Sequence, residues 1–177
     1  MYKQTKQDKE VIKKIESNEA VSIKGALHKY CGELIGNGLN RDVYALKFNP
    51  DYVVKIQRTQ SFDNIIEWQV WLAVSYSDLH EWFAPCIIIN EIGTVLVQKR
   101  VRAKMKKLYP KKLPVFFTDF KYANYGFIGD QFVCCDYAGV LDMLFNLDKG
   151  DLRSVRWWNH SEKFLYQRRQ GRKNHLQ

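Results

Sequence analysis

The sequence predicts an α+β fold, in which an antiparallel five-stranded lobe with one helix is followed by a strongly reduced second lobe. Residues 33–46 are typical of two strands joined by a glycine turn, and residues 51–57 form a third, β-branched strand. Residues 83–98 hold two more strands around an Asn-Glu-Ile-Gly turn. Between them, residues 65–74 repeat their apolar side chains with the period of a helix.

The N-terminal residues predict a surface element. Residues 3–19 carry charges of both signs around a thin apolar stripe, so we expect a helix that docks weakly on the sheet. The stripe consists of Val11, Ile12 and Ile15. Residues 21–30 are ambiguous, and His28 within them is interpreted as an exposed or capping histidine.

Two charged side chains stand out in otherwise apolar elements. Lys55 lies inside the third strand, where its ammonium requires an anionic partner unless the strand is an edge that faces water. Glu67 follows 12 positions later and is the only carboxylate in the apolar middle of the helix. A solvent-facing glutamate is the alternative. Ser61 or Asp63 is expected to cap that helix.

A polar motif opens the second part of the chain. Residues 119–124 read D-x-K-x-x-N, and Asp136 ends an apolar run 17 positions after Asp119. A carboxylate at Asp119 can orient a hydroxyl group, while Asn124 and Asp136 offer the hard oxygen ligands that Mg²⁺ prefers. Between them, residues 125–133 predict a β-hairpin with its turn at Gly129-Asp130. The alternative is that these polar residues only form turns and cap a strand.

The two segments resemble the catalytic and metal-binding loops of the protein-kinase-like superfamily, which includes aminoglycoside and choline kinases. The resemblance covers residues 31–139 and implies a nucleotide cleft. It implies that Lys55 binds the α- and β-phosphates and pairs with Glu67, and that Asp119 positions the nucleophile. Lys121 would neutralise the transferring phosphoryl group. Asn124 and Asp136 would hold Mg²⁺.

The glycine turn also resembles the kinase pattern G-x-G-x-x-G-x-V. Gly36, Gly38 and Val43 match it, whereas Arg41 stands where the third glycine is expected and can itself contact phosphate. Glycines let main-chain N–H groups cradle a phosphate, although two glycines are also common in hairpin turns. Gln98 and residues 99–101 would then form the hinge that meets an adenine.

Two regions depart from the family. Residues 102–115 are basic and contain Pro110 and Pro114, so at most a short helix fits where common kinases have two. This region is either a solvated loop or a phosphate- or partner-binding surface. After Gly139 only 38 residues remain, and we expect apolar packing of residues 140–147. One helix is expected over residues 151–167, with Trp157 and Trp158 partly buried.

Composition bounds the partners and the compartment. The formal charge of +9 favours polyanions, without choosing among nucleotides, nucleic acid and acidic proteins. The polar N-terminus and the lack of an apolar run of about 20 residues predict a cytoplasmic protein without a membrane partner. Its cysteines, which lack metal-site spacing, are expected to be buried free thiols. They are Cys31, Cys86, Cys134 and Cys135.

The resemblance implies an ATP- and Mg²⁺-dependent phosphotransferase, with a serine or threonine of another protein or of the chain itself as acceptor. The alternative is a catalytically silent module that docks on a macromolecule and inhibits it. Weak nucleic-acid contact through residues 102–112 and 168–175 is a further hypothesis. A chain this short is typical of small viral genomes, so a bacteriophage origin and action in the host cytoplasm are expected.

The expected domains are a helical extension, a kinase-like N-terminal lobe, a reduced C-terminal lobe and a basic tail. They span residues 1–30, 31–98, 99–167 and 168–177.

Overall fold

The computed structural model describes residues 1–16, 22–140 and 151–159. The helices in these ranges are α1 (Lys6–Glu16), α2 (Ile23–Lys29) and α3 (Asp63–Ser75). The strands are β1 (Cys31–Asn37), β2 (Arg41–Leu46), β3 (Tyr52–Gln57), β4 (Cys86–Ile89), β5 (Val95–Lys99), β6 (Lys112–Pro114), β7 (Tyr125–Ile128), β8 (Gln131–Cys134) and β9 (Leu152–Ser154). Short 3₁₀ turns cover Asp78–Trp82, Lys106–Leu108, Tyr122–Asn124 and Ala138–Val140.

The first five strands form one antiparallel sheet in the order β1-β2-β3-β5-β4. This confirms the predicted α+β fold class and its five-stranded lobe with one long helix, α3. Strand β3 is central, and all of its residues are buried. Lys55 therefore lies between Val43 of β2 and Leu96 of β5, not on an edge strand.

The start of α3 differs from the prediction, because neither Ser61 nor Asp63 caps it. The N-cap position is Phe62, which has a φ of 58° and makes no side-chain cap hydrogen bond. The two polar side chains are held instead by β3 and by the turn between β1 and β2. Ser61 Oγ accepts a hydrogen bond from Gln57 Nε2 at 2.6 Å, and Asp63 Oδ2 accepts one from Asn40 Nδ2 at 2.9 Å.

Helix α1 docks more firmly than its thin apolar stripe indicated, because Asp8 is fully buried. Its carboxylate accepts hydrogen bonds from Tyr52 Oη at 2.6 Å, Tyr2 Oη at 2.7 Å and the Thr5 N–H at 2.7 Å. Lys99 Nζ lies 3.4 Å away. Burial alone would raise the pKa of Asp8, but the hydrogen bonds from Tyr52, Tyr2 and Thr5 outweigh it and lower that pKa.

Residues 21–30, which were ambiguous in sequence, contain α2. Ser22 caps this helix by accepting a hydrogen bond from the Gly25 N–H at 3.1 Å, and His28 is exposed in its last turn.

The second part of the chain is built on a hairpin and an aromatic cluster. Strands β7 and β8 pair around Gly129, whose φ of +59° suits the predicted Gly129-Asp130 turn. Gly126 in β7 is required by a close approach, because a Cβ there would lie 2.7 Å from the carbonyl oxygen of Arg102. Tyr109 and Trp157 pack on this hairpin, with ring centroids 5.2 Å apart.

The predicted helix over residues 151–167 is wrong for its described part. Residues Leu152–Ser154 form β9, which pairs with β6, and the Val155 N–H donates to the Lys111 carbonyl at 2.9 Å. An extended backbone lets this segment pair with the chain before the D-x-K-x-x-N loop. Trp157 and Trp158 are half-buried, as expected. Residues 160–167, the basic tail and the apolar residues 141–147 lie outside the described residues.

Other predictions concern smaller features. The one helical element in region 102–115 is a 3₁₀ turn, as its two prolines predicted, and β6 follows it. The four cysteines are free thiols, buried at Cys86 and Cys134 and half-buried at Cys31 and Cys135. Among the described residues, no helix has the length and apolar character needed to span a membrane.

We predict that Asp8→Asn lowers the free energy of unfolding by about 2–3 kcal/mol at pH 7, because three hydrogen bonds to a buried charge are weakened. The folded-state pKa of Asp8 lies below its usual value. The stabilisation is therefore complete above a pH of about 4 and is lost as the pH falls through the folded-state pKa.

Urea unfolding at pH 7 and at pH 3 measures this difference. Asp78→Asn, at an exposed position, is the matched control and is expected to unfold like the wild type. A destabilisation of the same size at both pH values would contradict the role of the ionised carboxylate.

Candidate active site

The site is built around the carboxylate of Glu67, which is fully buried on α3. Lys55 Nζ donates a hydrogen bond to Oε1, and Gln98 Nε2 donates to the same oxygen at 3.1 Å. Arg41 Nη2 donates to Oε2 at 3.1 Å, and the Tyr137 N–H donates to Oε2 at 3.3 Å. A buried carboxylate thus joins three strands of the sheet to the segment after β8, and each oxygen is satisfied.

Lys55 connects the sheet to the end of β8. Its side chain is 5% exposed, and its ammonium donates to Glu67 and to the main-chain carbonyl of Cys135. The lysine at the centre of β3 is therefore bonded to the residue that directly precedes Asp136. The remaining face of the ammonium borders the cleft described below.

Arg41 behaves differently from what its place in the glycine turn indicated. Its guanidinium is buried and donates to Asp136 Oδ1 at 2.6 Å, to Glu67 Oε2 at 3.1 Å and to Asn64 Oδ1 at 3.3 Å. Burial alone would lower the pKa of Arg41, but the carboxylates of Glu67 and Asp136 outweigh it and raise that pKa. The cation therefore pairs with two protein carboxylates.

The D-x-K-x-x-N loop folds onto itself. Asn124 Nδ2 donates to Asp119 Oδ2 at 3.0 Å, and the Asn124 N–H donates to the Lys121 carbonyl at 2.9 Å. The Cys135 N–H donates to the Asn124 carbonyl at 2.8 Å, which places this loop next to the residue that precedes Asp136. The Asn124 amide nitrogen therefore faces Asp119.

The backbone of Trp158, which the sequence did not indicate as part of the site, holds this loop by hydrogen bonds. The Tyr122 N–H donates to the Trp158 carbonyl at 3.0 Å, and the Trp158 N–H donates to the Phe120 carbonyl at 3.1 Å. The sequence contains no local signal for this pairing, because Trp158 is more than 30 positions from the loop. The sequence predicts a helix at Trp158 instead. Asn64 was also missed, although a buried amide one turn before Glu67 on the same helix face is a detectable signal.

A cleft of about 420 Å³ runs between the glycine turn, β3, the hinge and the two loops. It is lined by most of the residues predicted to bind nucleotide or metal or to neutralise phosphate: Gly36, Gly38, Arg41, Val43, Lys55, Gln98, Lys121, Asn124 and Asp136. Glu67 and Asp119 do not line the cleft: Glu67 accepts a hydrogen bond from Lys55, and Asp119 Oδ2 accepts one from Asn124 Nδ2 at 3.0 Å. Hinge residues Lys99, Arg100 and Val101 close its other end.

Larger cavities occur near Trp82 and near Trp68, with volumes of about 560 and 680 Å³. Neither contains the buried ion pairs or the D-x-K-x-x-N loop. The smaller cleft is the candidate site because it collects the charged groups, and volume alone does not select it.

Gln98 has a structural contact that the hinge assignment did not include. Its buried amide nitrogen donates to Glu67 Oε1 and lies 3.4 Å from the Ala84 carbonyl oxygen. The side chain therefore supports the central carboxylate from the β5 side.

Two glycines border the cleft without being required by the backbone. Neither Gly36 nor Gly38 has a positive φ. A Cβ at Gly36 would meet only Val43 at 3.8 Å, an ordinary contact, whereas one at Gly38 would lie 3.3 Å from the Arg41 carbonyl oxygen. The fold itself accepts an alanine at position 36, so the space kept there is open to a ligand in the cleft.

The charges and oxygens of the cleft fit a polyphosphate with one divalent ion. Lys121 adds a positive charge to the balanced set of two cations and two carboxylates around Glu67. Mg²⁺ is usually held by one or two protein oxygens together with substrate phosphates. Asn124 and Asp136, whose side chain is 53% exposed, are the two residues that would hold it.

The chain matches no protein-family model and no curated protein. A solved structure that resembles it is the ternary complex of streptomycin, ATP and APH(2")-IIa. The likeness covers 78% of this chain and 73% of that chain, at a TM-score of 0.46 and 11% sequence identity. At this level the likeness establishes neither an activity nor a substrate for this chain.

We predict that Glu67→Ala lowers the free energy of unfolding by about 3–5 kcal/mol, because it leaves Lys55 and Arg41 as buried cations without their shared partner. Urea unfolding of the variant measures the loss. Glu81→Ala, at an exposed position, is the control and is expected to change stability by no more than about 0.5 kcal/mol. Equal stability of the two variants would contradict the central role of the Glu67 carboxylate.

Proposed function

We propose that the protein is an ATP- and Mg²⁺-dependent phosphotransferase of the kinase-like type. The observation that carries this proposal is the convergence of Lys55, Lys121, Asn124 and Asp136 on one cleft. These residues come from the sheet and from two separate loops, and each is the residue type that phosphoryl transfer requires at that place.

Each group has a defined task in this proposal. Lys55, fixed by Glu67, binds the α- and β-phosphates, and Gly36 and Gly38 leave room for the main chain to approach them. Asn124 and Asp136 hold Mg²⁺, which supplies charge neutralisation at the phosphates when it is bound. These assignments rest on contacts among the residues themselves: the Lys55–Glu67 pair and the Cys135–Asn124 hydrogen bond.

The reacting groups act by position and charge. Asp119 is exposed and held by Asn124, so its carboxylate can orient an acceptor hydroxyl that approaches from solvent. Lys121 offsets negative charge on the transferred phosphoryl group. Arg41 lines the same cleft, where its guanidinium is paired with Asp136.

The proposed acceptor is a serine or threonine of a protein, in another molecule or in the chain itself. An exposed Asp119 suits an acceptor that is presented on a large surface. We place the reaction in the cytoplasm, that of a host cell if the chain is encoded by a bacteriophage. The proposed division into an N-terminal extension, an N-terminal lobe, a reduced C-terminal lobe and a basic tail follows the same resemblance.

A second candidate is a catalytically silent module that docks on a macromolecule and inhibits it. The observation in its favour is the exposed basic segment 102–112, which lies directly before β6 and the catalytic loop. Four of its lysines are exposed and form no ion pair among the described residues: Lys106, Lys107, Lys111 and Lys112. This surface suits an acidic protein or, more weakly, nucleic acid.

We predict that the purified chain transfers label from γ-labelled ATP in the presence of Mg²⁺, to itself or to a protein in a host extract. Asp119→Ala and Asp136→Ala are each expected to reduce the transfer at least about 100-fold, because they remove the nucleophile-orienting group and a metal ligand. Asp51→Ala, at an exposed site outside the cleft, is the control.

The outcome separates the two candidates. Transfer that persists in both cleft variants would come from a contaminant and would reject the proposal. No transfer, together with a stable complex that survives Asp119→Ala and is lost when the four exposed lysines are neutralised, would establish the docking module.

We predict that Gly36→Ala folds with an unchanged melting temperature but binds ATP about tenfold more weakly. The added methyl group meets only Val43 in the protein, yet it takes space that the phosphates require. Isothermal titration with a non-hydrolysable ATP analogue measures the affinity. Unchanged affinity of the folded variant would mean that the phosphates do not bind next to this turn.

A further inference from the structure

The pairing of Arg41 with Asp136 places a cation at a proposed metal ligand. Arg41 Nη2 lies 2.6 Å from Asp136 Oδ1 and 3.1 Å from Glu67 Oε2, so one nitrogen bridges the two carboxylates. The Arg41 side chain is 9% exposed, whereas that of Asp136 is 53% exposed. The carboxylate faces the cleft, and the cation reaches it from the protein side.

The site is electrically balanced before any ligand binds. Lys55 and Arg41 carry two positive charges, and Glu67 and Asp136 carry two negative charges, all linked by ion pairs. A divalent ion that binds Asp136 therefore meets a carboxylate whose charge is already compensated. It also approaches the guanidinium closely, which opposes binding by Coulomb repulsion.

Arg41 is held so that it cannot easily give way to an ion. Its guanidinium also donates to Asn64 Oδ1 at 3.3 Å, and Asn64 is in turn anchored by donating to the Lys55 carbonyl at 3.2 Å. The main chain of Arg41 is paired with Gln57 of β3. The cation is thus part of the sheet and helix, not of a freely moving loop.

We infer that Arg41 is a fixed internal cation that masks Asp136 from free divalent ions, so that Mg²⁺ enters the cleft only together with a nucleotide polyphosphate. This inference deepens the proposed function and rests on it. Arg41 compensates the negative charge of Asp136, so the phosphates must supply the negative charge that attracts Mg²⁺. Lys55 and Lys121 in turn attract the phosphates. Arg41 is a positioning residue in this scheme, since it acts through Asp136.

The chain offers a matched control in Arg58. This arginine lies 3.3 Å from Asp42 Oδ1 and also contacts the glycine turn, but its side chain is 40% exposed and it does not touch Asp136. Arg58→Gln removes the same charge from the same lobe. A general change in the electrostatic potential would therefore affect both arginine variants alike, whereas masking of Asp136 is specific to Arg41.

The test measures Mn²⁺ binding to the full chain without nucleotide, by electron paramagnetic resonance of free Mn²⁺. Arg41→Gln is expected to bind Mn²⁺ at least about tenfold more tightly than the wild type, because the masking charge is gone. The double variant Arg41→Gln with Asp136→Asn and the single variant Arg58→Gln are expected to bind as weakly as the wild type. Unchanged Mn²⁺ affinity in a folded Arg41→Gln protein would overturn the inference.

Asp136→Asn provides an independent test if Arg41→Gln does not fold. Since Asp136 is already masked, this half-exposed substitution is expected to change the wild-type Mn²⁺ affinity less than about twofold. A tenfold loss would mean that Asp136 binds free ions despite Arg41, and the inference would be rejected. No nucleotide is present, so these results stay readable even if ATP binding and label transfer both fail.

Discussion

The structure depends on one buried carboxylate and the two cations that neutralise it. Glu67 is inaccessible to solvent, and burying an isolated ionised carboxylate would be prohibitively costly. Lys55 and Arg41 remove that cost because both donate directly to it. Each partner comes from a different strand, so the ion pairs fix α3 against the sheet as well as neutralising charge. Removing Glu67 leaves Lys55 buried without a carboxylate and Arg41 with Asp136 alone.

The same interaction connects the sheet to the loops of the second part. Lys55 reaches the Cys135 carbonyl, Arg41 reaches Asp136, and the Tyr137 N–H reaches Glu67. The end of β8 is thereby attached to the first lobe at three successive residues. One apolar cluster also joins the two parts, since the Phe83 ring packs on Phe116, Phe117 and Tyr137. Polar contacts with fixed geometry keep the cleft walls at a defined separation.

Short segments stabilise the second part of the chain and helix α1. The D-x-K-x-x-N loop is held by the Trp158 backbone, and Trp157 packs on Tyr122 and Tyr125 with ring centroids 5.4 and 5.0 Å away. Helix α1 is anchored by Asp8 to β3 and to Lys99 of β5. Both devices use aromatic rings or a buried carboxylate to stabilise elements that are too small to bury a large apolar area.

The sequence by itself determined the five strands, α3, the β7–β8 hairpin and the residue types of the cleft. These features follow from local periodicity, turn residues and short motif spacing, which are properties of neighbouring positions. The partners of Arg41 and Asp8 were decided only by the tertiary structure, because Arg41 and Asp136 are 95 positions apart and Asp8 and Tyr52 are 44 apart. The extended conformation of residues 152–154 was decided in the same way, by pairing with β6. Ion pairs and strand pairs between distant residues produce no periodic pattern in the sequence. Only the folded chain therefore shows which charged residues pair with each other.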